Sequence, residues 1–374
     1  MPLAKPREGM SIGFHTYDTV MDEGTLGDPE GIVWSSIRHL CSGGVAENIA
    51  HAHQVSKKRD REAVGRNLKL YVRQASAFYD AARSAKPDTA PLIYYYSFLN
   101  LAKALCELRH PQFHRRSECY KHGLSWTPDR RKFADPTKET ISIATRGVWH
   151  VLWEALMDRP CPAANPTKIR IKDMLSYCPE VSVELEMALG TRLRLIHVED
   201  PDVLYDEKAS EAWLRFSVYR RELAALHVSA AALNAQIRTS RSNYVEVRSA
   251  DRELRMFQSV TPKKLSPRER VSKGMGLDIA GLNVFTYPGR EKSLEYFIPV
   301  QNQLPFAIPQ LVVSYTILFW LGSLVRYDPH SVDALMDSRF WVLIDGAMSQ
   351  SRLWLLELFE WTFYRVETTL WTSR

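Results

Sequence analysis

A chain of 374 residues, 45% hydrophobic and 25% charged, has the composition of an ordinary globular protein, long enough for two or three domains or for one large domain with an insertion. Lys and Arg total 49 against 43 Asp and Glu, a formal charge of +6, which permits contact with nucleic acid or anionic ligands without requiring it. The cysteines, Cys41, Cys106, Cys119, Cys161 and Cys178, are odd in number and lack zinc-ligand spacing, which argues against a disulfide scaffold and fits a reducing, cytoplasmic setting.

The N-terminal run MPLAKPREGM has no apolar core of the kind a signal peptide needs. Residues 1–60 are Gly-rich and weakly periodic, and read as an N-terminal arm packed on the main body. The i,i+2 pair His51 and His53 does not share a helix face and has no third ligand beside it, so no metal site is expected there. From Lys57 the chain turns basic, and Leu68, Val72, Ala75 and Tyr79 keep the spacing of an amphipathic helix over Leu68–Ala82.

The organising stretch is PLIYYYSFLNLAKALCELRHPQFHRRSECYKHGL, from Pro91 to Leu124. Pro91 suits a helix start, and Pro111 ends the helix near Arg109 or His110. Apolar residues cover most of its circumference, the pattern of a core helix. One polar stripe remains, with Asn100, Lys103 and Glu107 at helical steps, and Lys103 and Glu107 stand at the spacing of an i,i+4 pair. Such groups either bond to neighbouring helices and loop carbonyls or line a cavity with His122.

The loop that follows, HRRSECYKHGLSWTPDRRKF, interleaves Arg115, Arg116, Lys121, Arg130, Arg131 and Lys132 with Tyr120, Trp126 and Phe133. Cations beside flat rings suit phosphate contact and base stacking on single-stranded RNA or DNA. The alternative is structural: basic residues favour a helix C-terminus, and the rings cover the core.

Val148–Met157 reads as a short helix, CPAANPT as a linker, and IKDMLSYCPEVSVELEMAL as a helix pair broken at Pro179. The texture then changes. RLRLIHVE, EAWLRFSVYRREL, NYVEVRS, RELRMFQSV, LNVFTYP and SLEYFIPV predict an antiparallel sheet between about 190 and 300, one face wet and one packed, with a helix at Arg221–Ile237. GMGLDIAG, at 274–281, lacks the Lys-Ser/Thr of a phosphate loop and reads as a turn.

No charge falls between Tyr296 and Val325, yet three prolines interrupt the run. Its continuous apolar part, Leu311–Val325, is about fifteen residues against the roughly twenty a bilayer needs. It predicts a buried helix opened by Pro309, and no membrane partner. Asp328-Pro329 breaks that helix, Ser331 caps the next (SVDALMDSRFWVLIDGAM), and Leu353–Trp371 predicts a last amphipathic helix heavy in aromatics. The apolar surfaces at the two ends of the chain need each other. The expected fold is therefore mainly α with an inserted antiparallel sheet: arm 1–60, helical core 61–160, α+β insertion 161–305 and returning helical core 306–374.

The run PLIYYYSFLNLAKAL, the HGL at 122–124 and the tail LFWLGSLVRYDPHSV resemble the YaaC-like family of bacterial proteins, over Leu68–Leu124 and Pro309–Glu367. That resemblance implies a cytoplasmic bacterial protein with no established biochemical role. A more distant likeness is to HEPN domains, helical units of bacterial toxins and defence systems, whose active members are metal-independent ribonucleases, usually dimeric, with an Arg followed four to six residues later by His. The likeness implies Arg116 and His122 as the catalytic pair, since Pro111 interrupts the other candidate, Arg109 to His114. In such chemistry the imidazole takes a proton from a ribose 2′-OH or protonates the leaving oxygen, and the guanidinium stabilises charge on the phosphate. No cofactor is expected.

Two function classes remain. One is an RNA-associated helical protein resting on the basic aromatic loop. The other is a non-enzymatic module docking a partner protein or a second copy through the sheet or the C-terminal aromatics Trp354, Trp361, Phe363, Tyr364 and Trp371. Other enzyme classes find no motif: no P-loop, no GxGxxG after a strand, no HExxH and no CxxC.

Overall fold

The computed structural model describes residues 3, 5–11, 17–19, 28–128, 132–163, 167–238, 244–264, 284–288, 294–300, 306–364 and 367–369. The chain divides into two compact units: a helical one drawing on 21–193 and 308–364, and a sheet unit drawing on 1–20, 194–307 and 365–371. The helical core is thus assembled from both halves of the sequence with the sheet inserted between them, the α+β arrangement that the residue patterns predict.

Residues 1–60 are shared between the units. Strands β1 (Met10–Ser11) and β2 (Tyr17–Thr19) belong to the sheet unit, whereas helices α1 (Pro29–His39) and α2 (Gly43–Ala52) belong to the helical one. Asp28 caps α1 by accepting from the Gly31 amide at 3.1 Å. Trp34 of α1 meets Tyr79 edge-on at 5.3 Å. Tyr79 lies on α3 (Lys58–Arg83), which starts nearly three turns earlier than the apolar periodicity alone suggests.

The central helix α4 runs over Ala90–Arg109 as expected from its two prolines, with Leu101, Ala102 and Ala104 fully buried. It ends where Gln112 turns left-handed (φ 71°) after Pro111. Strands β3 (Leu124–Ser125), β4 (Thr140–Ile143) and β5 (Lys168–Arg170) form a small antiparallel sheet in this unit that no alternation in the sequence announces. Helices α5 (Val148–Met157), α6 (Ile171–Leu175) and α7 (Ser182–Leu189) complete its first half.

The sheet unit holds eight antiparallel strands among the described residues. Their order is β11 (Phe285–Pro288), β12 (Leu294–Pro299), β6 (Leu195–Asp206), β7 (Glu211–Tyr219), β9 (Leu254–Ser259), β8 (Tyr244–Val247), with β1 on β6 and β10 (Lys263–Lys264) on β7. The predicted wet face is absent on β7. Trp213, Leu214, Phe216, Ser217 and Val218 are all buried, so this central strand is covered on both sides. One cover is the N-terminal segment: a Cβ on Gly9 would lie 2.8 Å from the Trp213 ring, and the Arg7 guanidinium stands 5.9 Å from that ring's centre. The single helix expected at 221–237 is two, α8 (Arg220–Ala225) and α9 (Ala230–Arg238). His227 breaks it at φ 54°, and the Ser229 hydroxyl accepts from the Ala232 amide to start the second. GMGLDIAG lies outside the described residues.

The chain returns to the helical unit as α10 (Gln310–Tyr327), α11 (Pro329–Met336) and α12 (Trp341–Tyr364). Helix α10 lies close against α4 because Gly322 offers no side chain: a Cβ there would stand 3.2 Å from the Cβ of Tyr95. Asp328, not Ser331, caps α11; its carboxylate accepts from the Ser331 amide at 3.2 Å and the Ser331 hydroxyl at 2.6 Å. Helix α12 ends at Tyr364 rather than Trp371, and the chain continues as β13 (Glu367–Thr369), parallel to β2. Trp354, Trp361 and Phe363 are buried, which removes them as an exposed docking stripe. The Tyr364 side chain and Trp371 lie outside the described residues. No helix among those residues is long and apolar enough to cross a membrane.

Candidate functional site

The site forms where the loop after α4 crosses the start of α5. Gly123 takes φ +82° and Gly147 φ +146°, and the two backbones nearly touch: a Cβ on Gly147 would lie 2.3 Å from the Gly123 nitrogen. That approach lets the Val148 amide donate to the Lys121 carbonyl at 2.8 Å and the Trp149 amide to the His122 carbonyl at 3.1 Å. The first N–H groups of a helix have no partner within it. Here they fix the backbone of His122, and the Ala144 amide holds the Gly123 carbonyl at 3.0 Å.

The ring is fixed as well. Tyr315 of α10 donates its hydroxyl proton to the His122 carbonyl at 3.1 Å. The Tyr95 hydroxyl lies 3.2 Å from that of Tyr315 and 2.6 Å from His122 Nδ1. Proton counting offers one tautomer that uses every contact. A carbonyl only accepts, so the Tyr315 proton is committed. Tyr95 can then donate to Tyr315 while its oxygen accepts from His122 Nδ1–H, the arrangement in which all three contacts are hydrogen bonds. In that tautomer Nε2 carries the lone pair. Burial, and secondarily the positive charge of Lys103, lower the His122 pKa from the ordinary value of 6.5, so the imidazole is neutral at neutral pH.

His122 lines a cleft of about 880 Å³ between α4, α10 and the segment after His122. Trp126, Lys132 and Phe133 stand along it from that segment; Arg326, Asp328 and His330 stand along it from the end of α10 and the start of α11. Its walls are fastened. Trp126 Nε1 donates to Glu139 at 2.5 Å, and the Ala134 amide donates to the Ser331 hydroxyl at 2.8 Å. Burial raises the Glu139 pKa. Arg326 sits in the last turn of α10, where the helix dipole favours a cation. Its guanidinium lies 5.4 Å from the ring centres of both Tyr96 and Tyr327.

The residues singled out in the sequence part company here. His122, Trp126 and Lys132 line the cleft; Arg115, Arg116 and Lys121 are exposed and do not. Arg116 does not share a helix with His122. It is extended (φ −83°, ψ 147°) between the short 3-10 turns Phe113–Arg115 and Ser117–Tyr120, and its charge acts on His110, whose pKa it helps burial to lower. Arg130 and Arg131 lie outside the described residues.

Of the polar stripe, Asn100 bonds back to the Tyr96 carbonyl at 2.8 Å, and half-buried Lys103 reaches the site through its charge. Glu107 has other partners than Lys103. Fully buried, it accepts from Asn67 Nδ2 at 2.9 Å and from the amides of Gln112 at 2.8 Å and His114 at 3.0 Å, with His114 Nδ1 at 3.3 Å. It therefore closes the turn after α4, which is structural work. Arg109 pairs with Asp158, so Arg109 and His114 have separate partners. Sequence reasoning missed Arg326 and Tyr315. Both fall in or beside runs that read only as a buried helix, and nothing local brings them to His122.

Fold and site together define an α+β protein whose helical core, built from both chain ends, carries a cleft with an oriented histidine. The sequence model of the YaaC-like Protein family matches residues 44–360, most of the chain, and the chain belongs to that family. No curated protein matches it, and no solved structure does.

Proposed function

We propose that the protein is RNA-associated, and that the His122 cleft takes a segment of single-stranded RNA and cleaves it without a metal. The observation that carries this reading is the hydrogen-bond chain from Tyr315 through Tyr95 to His122, which leaves Nε2 as a neutral proton acceptor on a cleft that also bears Arg326 and Lys132. Nε2 takes the proton of a ribose 2′-OH, whose oxygen attacks the adjacent phosphorus. The 5′-oxygen leaves with a proton taken from water, and a 2′,3′-cyclic phosphate remains. Arg326 and Lys132 carry the charge that gathers on the phosphate, and Trp126 and Phe133 offer faces for bases. In this reading Arg326 takes the electrostatic role that the likeness to HEPN domains gives to Arg116.

The test uses purified protein, a labelled single-stranded RNA and a chelator. Cleavage to a cyclic phosphate is expected, lowered by about 100-fold or more in His122→Ala, in line with loss of a general base. A protein that neither cleaves RNA nor binds it in a salt-dependent manner overturns the reading.

A further inference from the structure

The sheet unit carries a basic concavity of its own, which stands independently of the RNA reading. Arg220 starts α8, Arg248 and Arg252 lie on the turn joining β8 to β9, and Arg255 lies on β9. Together they line about 450 Å³ with Glu246 and Asp251. Both carboxylates already have partners. Glu246 accepts from Arg255 Nη1 at 3.3 Å and from Asn234 Nδ2 at 3.2 Å, a pair largely shielded from solvent. Asp251 accepts from the Glu253 amide at 2.8 Å and so shapes the turn. The Glu253 carbonyl in turn receives the Arg220 amide at 2.9 Å, which draws the start of α8 to the same turn.

Arg220, Arg248 and Arg252 are exposed, and among the described residues no carboxylate pairs with their guanidinium groups. Three arginines from two separate elements thus face one concavity with only the unpaired charge of Asp251 among its lining residues against them, while the fourth is taken up by Glu246. The exposed Glu253 on the same turn tempers the field without pairing. Like charges gathered in this way cost free energy unless an anion answers them. A guanidinium presents a planar fork of donors that matches phosphate oxygens two at a time.

We infer that this concavity is a binding site for an oligophosphate chain, either inorganic or as the tail of a nucleoside triphosphate. Three separate forks suit several linked phosphates better than a single one.

Calorimetric titration of the full chain with inorganic triphosphate, ATP and orthophosphate tests this. Triphosphate is expected to bind, and at least tenfold more weakly to Arg220→Ala/Arg252→Ala, with circular dichroism unchanged because both side chains are exposed. Arg220→Lys, which keeps charge but loses the fork, should fall between. ATP binding more tightly than triphosphate identifies the nucleotide as the ligand; ATP binding more weakly identifies the inorganic chain. The inference is overturned if triphosphate does not bind, if the double variant binds it as the natural protein does, or if orthophosphate binds equally well.

Discussion

At the scale of single residues, one imidazole is held from both ends. The backbone of His122 is tied to the start of α5 and its ring to Tyr95, so the direction of its free lone pair is set before any ligand arrives. This arrangement has a pH signature. A general base works in its neutral form, and burial lowers the His122 pKa below the ordinary 6.5. Cleavage should therefore rise with pH through a midpoint below 6.5 and be level at neutrality; a midpoint above 6.5 would mean a charged, solvated ring. Tyr95→Phe should leave Nδ1–H without its acceptor. It is expected to cost about 1–3 kcal/mol in denaturant unfolding, the range for an orphaned buried donor, and to release the tautomer. His122 stands out in the sequence as a histidine after a core helix and among cations, but a histidine before Gly123 also reads as a structural tie between loop and helix, and the Tyr95 contact fits that reading too. Arg326 is not legible: it ends an apolar helix more than two hundred positions away, and only the packing of α10 on α4 brings it near.

At the scale of elements, the site depends on a close approach of two loops. Gly123 and Gly147 are the residues that allow it, and Gly147→Ala would set a methyl against the Gly123 backbone, which cannot yield as a side chain tip can. The expected result is destabilisation by about 2 kcal/mol or more, with weaker RNA binding because the His122 carbonyl loses its place; urea midpoints and binding curves read both. Leu101→Ala, at a fully buried point of α4, should cost about 3 kcal/mol while leaving the cleft residues in register. The elements divide by how local their cause is. Alternation marks β6, β7, β9 and β12, and flanking prolines mark α4. The three-stranded sheet around 124–170 has strands too short to show a period. The break between α8 and α9 follows from a left-handed His227 and a capping Ser229 inside an otherwise helical pattern.

At the scale of the whole molecule, two units share one chain, and the strands that complete the sheet unit come from its remote ends. Parallel pairing of Glu367–Thr369 with Tyr17–Thr19 has no local signature, which is why residues 1–60 read as an arm and the tail as helix. Charge is also a property of this scale. A +6 protein with two cations on its cleft should bind single-stranded RNA with a shallow salt dependence, a log–log slope of about −1.4 for two phosphates neutralised; fluorescence anisotropy across a salt series measures it. Stability should fall in mild acid. Burial is the first cause lowering the pKa of His110, His122 and His150, so below 6.5 the unfolded chain binds protons that the folded one resists. The melting temperature is therefore expected to hold above 6.5 and drop as pH falls below it, a drop that His122→Gln should lessen.

The most direct measurement is the protonation state of His122 itself, read by long-range proton–nitrogen NMR correlation on protein labelled at histidine and assigned with the His122→Gln variant. A neutral ring at neutral pH with the proton on Nδ1, and an Nε2 signal that shifts when RNA is added, is the expected result. A proton on Nε2, or a charged ring at neutral pH, would contradict it.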